Sequence, residues 1–280
     1  MASSSSIVGE AGKDTRRQIG YLGPGGSWTH QACLDLFGSE NLVAFEDLQL
    51  FTEYANGAID RACVPVTTSV VGVTPYLDPV LDIPNVVVVA EYPKMLGYSL
   101  LARPGTKLED VKCVVAHPVA LEEVKPWLDR AMPTVRRVVA ASGGDAARSV
   151  AESETGDIAS MGPKIGGAIY GLISLAERIE EGPHNVTRWW VLGRQMPPPS
   201  GHDKTSLVVT VADNDFSALL TDMTASKLHI LDIYERPSKV TLDTHRYLVE
   251  VRGHATEGAL ANFLSARADI RVLGSYARKY

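Results

Sequence analysis

Two stretches of the chain hold side chains whose types and spacing suit work on a small anionic molecule. The first is Gly23-Pro-Gly-Gly-Ser-Trp-Thr29, which follows an apolar run and opens a helical pattern. Glycines let backbone N–H groups turn toward a ligand, and the start of a helix favours negative charge. The spacing lacks the full set of glycines of a dinucleotide loop. The second is Asn185-Val-Thr-Arg-Trp-Trp190. Arg188 offers a planar fork for a carboxylate, and Thr187 a hydroxyl able to hydrogen-bond a substrate hydroxyl.

These residues need a scaffold. Before residue 194, short apolar runs alternate with helical patterns, which implies mostly parallel sheets with helices on their faces. Strands are expected at 18–23, 62–66, 86–90, 98–102, 112–116, 135–140 and 157–161. Helices are expected at 27–37, with Ser27 as N-cap, and near 119–131, 144–154 and 164–175. In such folds ligands sit beyond the carboxyl ends of strands. Arg194 to Asp203, with its run of three prolines, reads as a linker. After it the pattern becomes strand, helix, strand, strand, helix, strand, a βαββαβ order that closes a small sheet-and-helix sandwich. The expected division is a disordered leader at 1–17, a catalytic domain at 18–194, the linker at 195–203 and a small domain at 204–280.

Composition narrows the function. A hydrophobic content of 45% in 280 residues supports a full core, and the longest apolar runs are too short to span a bilayer. The net charge of −6 disfavours nucleic acid as a partner, so an anionic substrate needs a local positive site. Cys33, Cys63 and Cys113 stand far apart with no CxxC pair, which argues against a disulfide framework or a zinc site. They read as buried spectators in a cytoplasmic protein.

From about residue 18 to 278 the chain resembles prephenate dehydratases with a C-terminal ACT domain. The resemblance is carried by IGYLGPGGSWTHQA (19–32), VPVTTSVVGV (64–73), LLARPG (100–105), AHPVALEEVKPWL (116–128), GDIASMGPKIGGAIYGL (156–172), NVTRWWVLG (185–193), KTSLVV (204–209), ERP (235–237), GH (253–254) and LGSY (273–276). It implies an α/β catalytic domain of two lobes, like type 2 periplasmic binding proteins, followed by a regulatory ACT module. It also implies prephenate or a close analogue as substrate, no metal or organic cofactor, and assembly as a homodimer or homotetramer.

The departures matter as much. Thr67-Thr68-Ser69 stands where the family has Glu-Asn-Ser, Tyr98 where it has His, and Val119 where it has Gln. Trp189 replaces the Phe of Thr-Arg-Phe. The Gly-Ala-Leu and Glu-Ser-Arg-Pro motifs tied to phenylalanine feedback are altered, which removes the basis for carrying phenylalanine binding over. Thr67-Thr68, Tyr98, Trp189 and Asp157-Ile-Ala resemble the non-aromatising prephenate decarboxylases, which release CO2 and keep the ring hydroxyl. That makes a decarboxylase the first expectation and an ordinary prephenate (or arogenate) dehydratase the second. In either case Arg188 is expected to hold a carboxylate and Thr187 to contact the ring hydroxyl. Tyr98 is expected to deliver or orient a proton. Gly25, Ser27, Thr29, Thr67, Thr68, Ser69, Lys164 and Trp189 are expected to line the substrate site.

Overall fold

The structure, a computed structural model, describes residues 18–181 and 184–280. The expected leader lies outside the described residues. The chain begins with β1 (Ile19–Leu22), α1 (Trp28–Phe37), β2 (Leu42–Phe45), α2 (Gln49–Ala55), β3 (Arg61–Thr68), β4 (Gly72–Val73), α3 (Leu77–Asp82) and β5 (Val87–Met95). It then crosses to a second sheet, formed by β6 (Ser99–Ala102), β7 (Cys113–Ala116), α4 (Pro118–Glu123), α5 (Lys125–Ala131), β8 (Arg136–Val139), α6 (Gly143–Glu152), β9 (Ile158–Gly162), α7 (Ile165–Tyr170) and β10 (Ile173–Glu177). β11 (Val186–Gly193) returns to the first sheet and inserts between β3 and β5.

The sheet orders are β2-β1-β3-β11-β5, with β4 on β3, and β10-β6-β9-β7-β8. Both are mixed, which corrects the expectation of mostly parallel sheets. β11 re-enters from the other lobe and so lies antiparallel to both its neighbours. β10 and β6 likewise pair antiparallel at the second sheet's edge. The two crossings divide the body into two lobes.

Two of the expected helices differ. The segment near 119–131 breaks at Val124, because Pro126 has no N–H and sits in the first turn of a new helix, α5. The helix expected to reach 175 stops at Gly171, whose φ of 68° ends α7 in a left-handed turn, and the chain continues as β10.

The last third contains β12 (Asp203–Ala212), α8 (Asp215–Ala225), β13 (Ile230–Pro237), β14 (Thr244–Arg252), α9 (Gly258–Ser265) and β15 (Arg271–Ala277). Its antiparallel sheet runs β13-β14-β12-β15. Strand alternation gives the sheet two apolar faces. Leu207, Val209, Val249 and Val251 meet α8 and α9, while Val208, Leu248, Leu273 and Tyr276 join the core of the first lobe. Gly274 lies so close to β5 that an added Cβ would stand 2.0 Å from the Val88 carbonyl oxygen. The proline-rich segment is fastened: the Asp203 carboxylate accepts from Ser200 N–H at 2.8 Å, and His254 Nε2 meets the Pro197 carbonyl at 3.0 Å.

Candidate active site

A cavity of about 280 Å³ opens between the lobes. The sequence builds it from the ends of elements, as an α/β architecture requires. Ser27, Trp28 and Thr29 contribute from the start of α1, and Ser142 and Gly143 from the start of α6. Thr68, Thr74 and Tyr76 come from the segments around β4. Tyr98, His117 and Met161 come from the second lobe, and Asn185, Thr187 and Trp189 from β11 and the residues before it.

The lining contains no Lys, Arg, Asp or Glu. Positive potential comes instead from the helix starts. α1 and α6 are both ten residues long, and each is capped by a serine: Ser27 Oγ accepts from His30 N–H at 3.2 Å and Ser142 Oγ from Asp145 N–H at 3.0 Å. First-turn amides have no partner within a helix, and the macrodipole adds partial positive charge there. Trp28 adds an indole N–H that has no hydrogen-bond partner.

Thr187 and Trp189 share one face of β11 and both reach the cleft. Thr187 is 5% exposed, and its hydroxyl lies 3.4 Å from the Asn185 side-chain oxygen. Trp189 Nε1 donates to Thr29 Oγ1 at 3.1 Å, tying β11 to α1 and leaving the Thr29 proton free to donate.

Arg188 points the other way, since successive residues on a strand face opposite sides. It is 2% exposed and enters a buried ion network between the first lobe and the C-terminal sheet. Its Nη1 lies 2.6 Å from Glu250 and 3.4 Å from Glu91, and its Nε donates to Thr67 Oγ1 at 3.1 Å. Lys204 completes the network at 3.0 Å from Glu91 and 3.5 Å from Glu250. Burial disfavours the charged guanidinium, but the Glu250 carboxylate overrides it and drives the Arg188 pKa further up. The expectation that Arg188 holds a substrate carboxylate is therefore corrected: its guanidinium is already neutralised, on the far face of the strand.

The other expected residues divide in the same way. Thr68 lines the cleft, whereas Thr67 faces Arg188. Ser69 staples its loop to β11, donating to the His184 carbonyl at 3.0 Å and accepting from Val186 N–H at 2.8 Å. Ser27 and Thr29 line the cleft, but Gly25 does not. Its carbonyl accepts from the Tyr170 hydroxyl, and the next amide, Gly26 N–H, donates to His30 Nδ1. A Cβ on Gly144 would come within 2.8 Å of the Gly25 oxygen, so this loop serves contact between the lobes. Lys164 lies outside the cleft, 71% exposed and paired with Glu177 at 2.7 Å. Lys164→Ala should accordingly leave KM for the substrate within about twofold of wild type, because an exposed pair contributes little; steady-state kinetics checks this, and a tenfold rise would move Lys164 into the site.

Tyr98 reaches the cleft with only 3% exposure and packs edge-on to Trp28, ring centroids 6.0 Å apart. Burial raises its phenol well above the ordinary range, helped by the nearby Glu123. His117 caps α4 by accepting from Val119 N–H, and burial lowers its pKa, so the imidazole is neutral at neutral pH. Sequence reasoning missed Trp28, Ser142, Gly143, Asn185 and Glu123. The Ser142-Gly-Gly-Asp145 spacing is a helix-start signature, and Asn185 stands two residues before Thr187, the period of one strand face.

Among the described residues, no helix is long and apolar enough to cross a membrane, and no group of three His, Cys, Asp or Glu could hold a metal ion. A family model described as prephenate dehydratase matches residues 19–197. The chain is 34% identical over 282 residues to the prephenate dehydratase of Mycolicibacterium gilvum, covering 92% of this chain and 90% of that one. It is 31% identical to the bifunctional chorismate mutase/prephenate dehydratase of Stutzerimonas stutzeri, over 93% of this chain and 73% of that one. The crystal structure of prephenate dehydratase from Arthrobacter aurescens in complex with L-Phe aligns with a TM-score of 0.84 at 28% identity, covering 93% of this chain and 90% of that one. The chain therefore belongs to the prephenate dehydratase family of lyases.

Proposed function

We propose that the protein converts prephenate to phenylpyruvate, releasing the ring carboxylate as CO2 and the ring hydroxyl as water. The observation that carries this reading is Thr187, held on the cleft face of β11 in a cavity that two helix starts also line and that has no Lys, Arg, Asp or Glu in its lining. The pyruvyl carboxylate would sit at the start of α1 or α6, where amides and the dipole favour an anion. The ring carboxylate would lie against the apolar wall of Trp28, Leu96, Met161 and Trp189. An uncompensated carboxylate is disfavoured there, and its charge disperses as CO2 departs, so such a wall favours the transition state over the bound substrate. Thr187 would hydrogen-bond the leaving hydroxyl.

The sequence departures had put a non-aromatising decarboxylase first. The dehydratase name borne by relatives that align along most of their length favours elimination instead. Tyr98 supports the second reading, in which CO2 leaves, the hydroxyl stays and a ring carbon takes a proton, because the cleft places a phenol where the family has His. On the first reading the βαββαβ module would be an ACT domain.

The test is an assay of the purified protein with prephenate, with phenylpyruvate followed as its enolate in alkali. The expected result is one phenylpyruvate for each prephenate consumed. Consumption without an aromatic product would favour the decarboxylase, and no consumption would overturn both readings.

A further inference from the structure

Either reaction consumes one proton, so the cleft needs a source. The ionisable side chains of its lining are Tyr76, Tyr98 and His117. Burial raises both phenols and lowers the imidazole, so none of them offers a readily lost proton at neutral pH.

Behind Tyr98, on α4, lies Glu123, 1% exposed. The groups that act on its carboxyl are the Tyr98 hydroxyl from the segment before β6, the Asn185 amide from the segment before β11 and the Glu180 carboxylate from the segment after β10. Both Glu123 oxygens are buried without a hydrogen-bond partner, and no Lys, Arg or His pairs with them among the described residues. Glu180 is itself fixed in place by accepting the Tyr98 N–H at 2.8 Å. A buried carboxyl that faces another carboxylate and no cation keeps its proton. Here burial and Glu180 outweigh the Asn185 and Tyr98 dipoles and push the Glu123 pKa up to about 7.

We propose that Glu123 is the proton source of the cleft, acting through Tyr98, which lines the cleft. In the dehydratase reading, on which this rests, the bond from the ring to the carboxylate breaks. Its electron pair enters the ring, and the pair of the breaking C4–O bond leaves on oxygen. The Tyr98 proton passes to that oxygen and makes water, while the Glu123 proton moves to the phenol oxygen. The Glu123 carboxylate then takes a proton from solvent before the next turnover. A phenol that neither donates nor accepts a net proton in the cycle suits Tyr98, whose ionised form is strongly disfavoured. Glu123 is thus a positioning and supply residue, and Tyr98 the contact.

Glu123→Gln in the full-length protein keeps the shape and removes the acid. Its kcat should fall about 100-fold with KM nearly unchanged, and the loss of rate expected of wild type as pH rises through about 7 should be absent. Glu123→Asp should keep that pH limb, and Tyr98→Phe should lose about as much rate as Glu123→Gln, with no further loss in the double variant. Wild-type rate and an unchanged pH profile in Glu123→Gln would overturn the proposal. So would a fully active Tyr98→Phe, which tests the relay even if Glu123→Gln fails to fold. Infrared difference spectra test the protonation without turnover: a protonated-carboxyl band that titrates near pH 7 is expected in wild type, and its absence at about pH 6 would overturn the proposal. If wild type left prephenate untouched, the proposed reaction would fail while this spectroscopic result still stood on its own.

Discussion

Thr187→Ala should lower kcat by about 10²- to 10⁴-fold and change KM little. The hydroxyl stands on the cleft face of β11 with a single short-range partner, Asn185. β11 is central in its sheet, paired along its length with β3 and β5, so the position is rigid. A threonine hydroxyl is a weak acid; its contribution is a hydrogen bond that strengthens as charge develops on the departing oxygen. Such a bond is worth most in the transition state, which is why the loss falls on kcat. Thr187→Ser should recover much of the rate. Steady-state kinetics on both variants checks the assignment, and an Ala variant at wild-type rate would remove Thr187 from the reaction.

Glu250→Ala should destabilise the protein by about 3–5 kcal/mol, the usual cost of leaving a buried charge without its partner. Glu250 is fully buried and serves Arg188, Lys204 and Ser206 together. Its removal leaves the two buried cations with Glu91 as their one ion-pair partner within 4 Å among the described residues. Burial pulls the Glu250 pKa upward, but Arg188 and Lys204 prevail and hold it below the ordinary carboxylate value. A depressed folded-state pKa means that the stabilisation is complete above the unfolded-state value and is lost as pH falls through the folded one. The gap between wild type and Glu250→Ala should therefore narrow in acid. Urea unfolding at neutral and acid pH measures both effects, and a variant as stable as wild type at neutral pH would show the network to be incidental.

The network also explains what was legible in the sequence and what was not. Ser27 could be read as a helix cap, and Thr187 as a residue with work to do, because local patterns set both. Arg188 was misread because a motif names neighbours without saying which face each one takes. Strand alternation puts Thr187 and Arg188 on opposite sides, and the partner that claims Arg188 lies 62 residues away on another sheet. Glu123 was invisible for a related reason. A glutamate beside another in a short helix reads as solvated, and only the packing of Tyr98, Glu180 and Asn185 around it makes it a buried acid. The sequence points to three candidates for the positive site that an anionic substrate needs: Arg188, Lys164 and the helix start that follows Gly23 to Ser27. Of these only the start of α1 lines the cleft, and it is joined there by the start of α6, which Ser142 to Asp145 signalled in their spacing.

The most direct measurement is carbon NMR of the protein with prephenate labelled at the ring carboxylate and at the ring carbinol carbon. The account predicts that labelled CO2 forms in step with the conversion of the carbinol carbon to an aromatic one. Labelled CO2 with a surviving carbinol signal would contradict it, and would mean that a ring carbon, not the leaving oxygen, takes the proton.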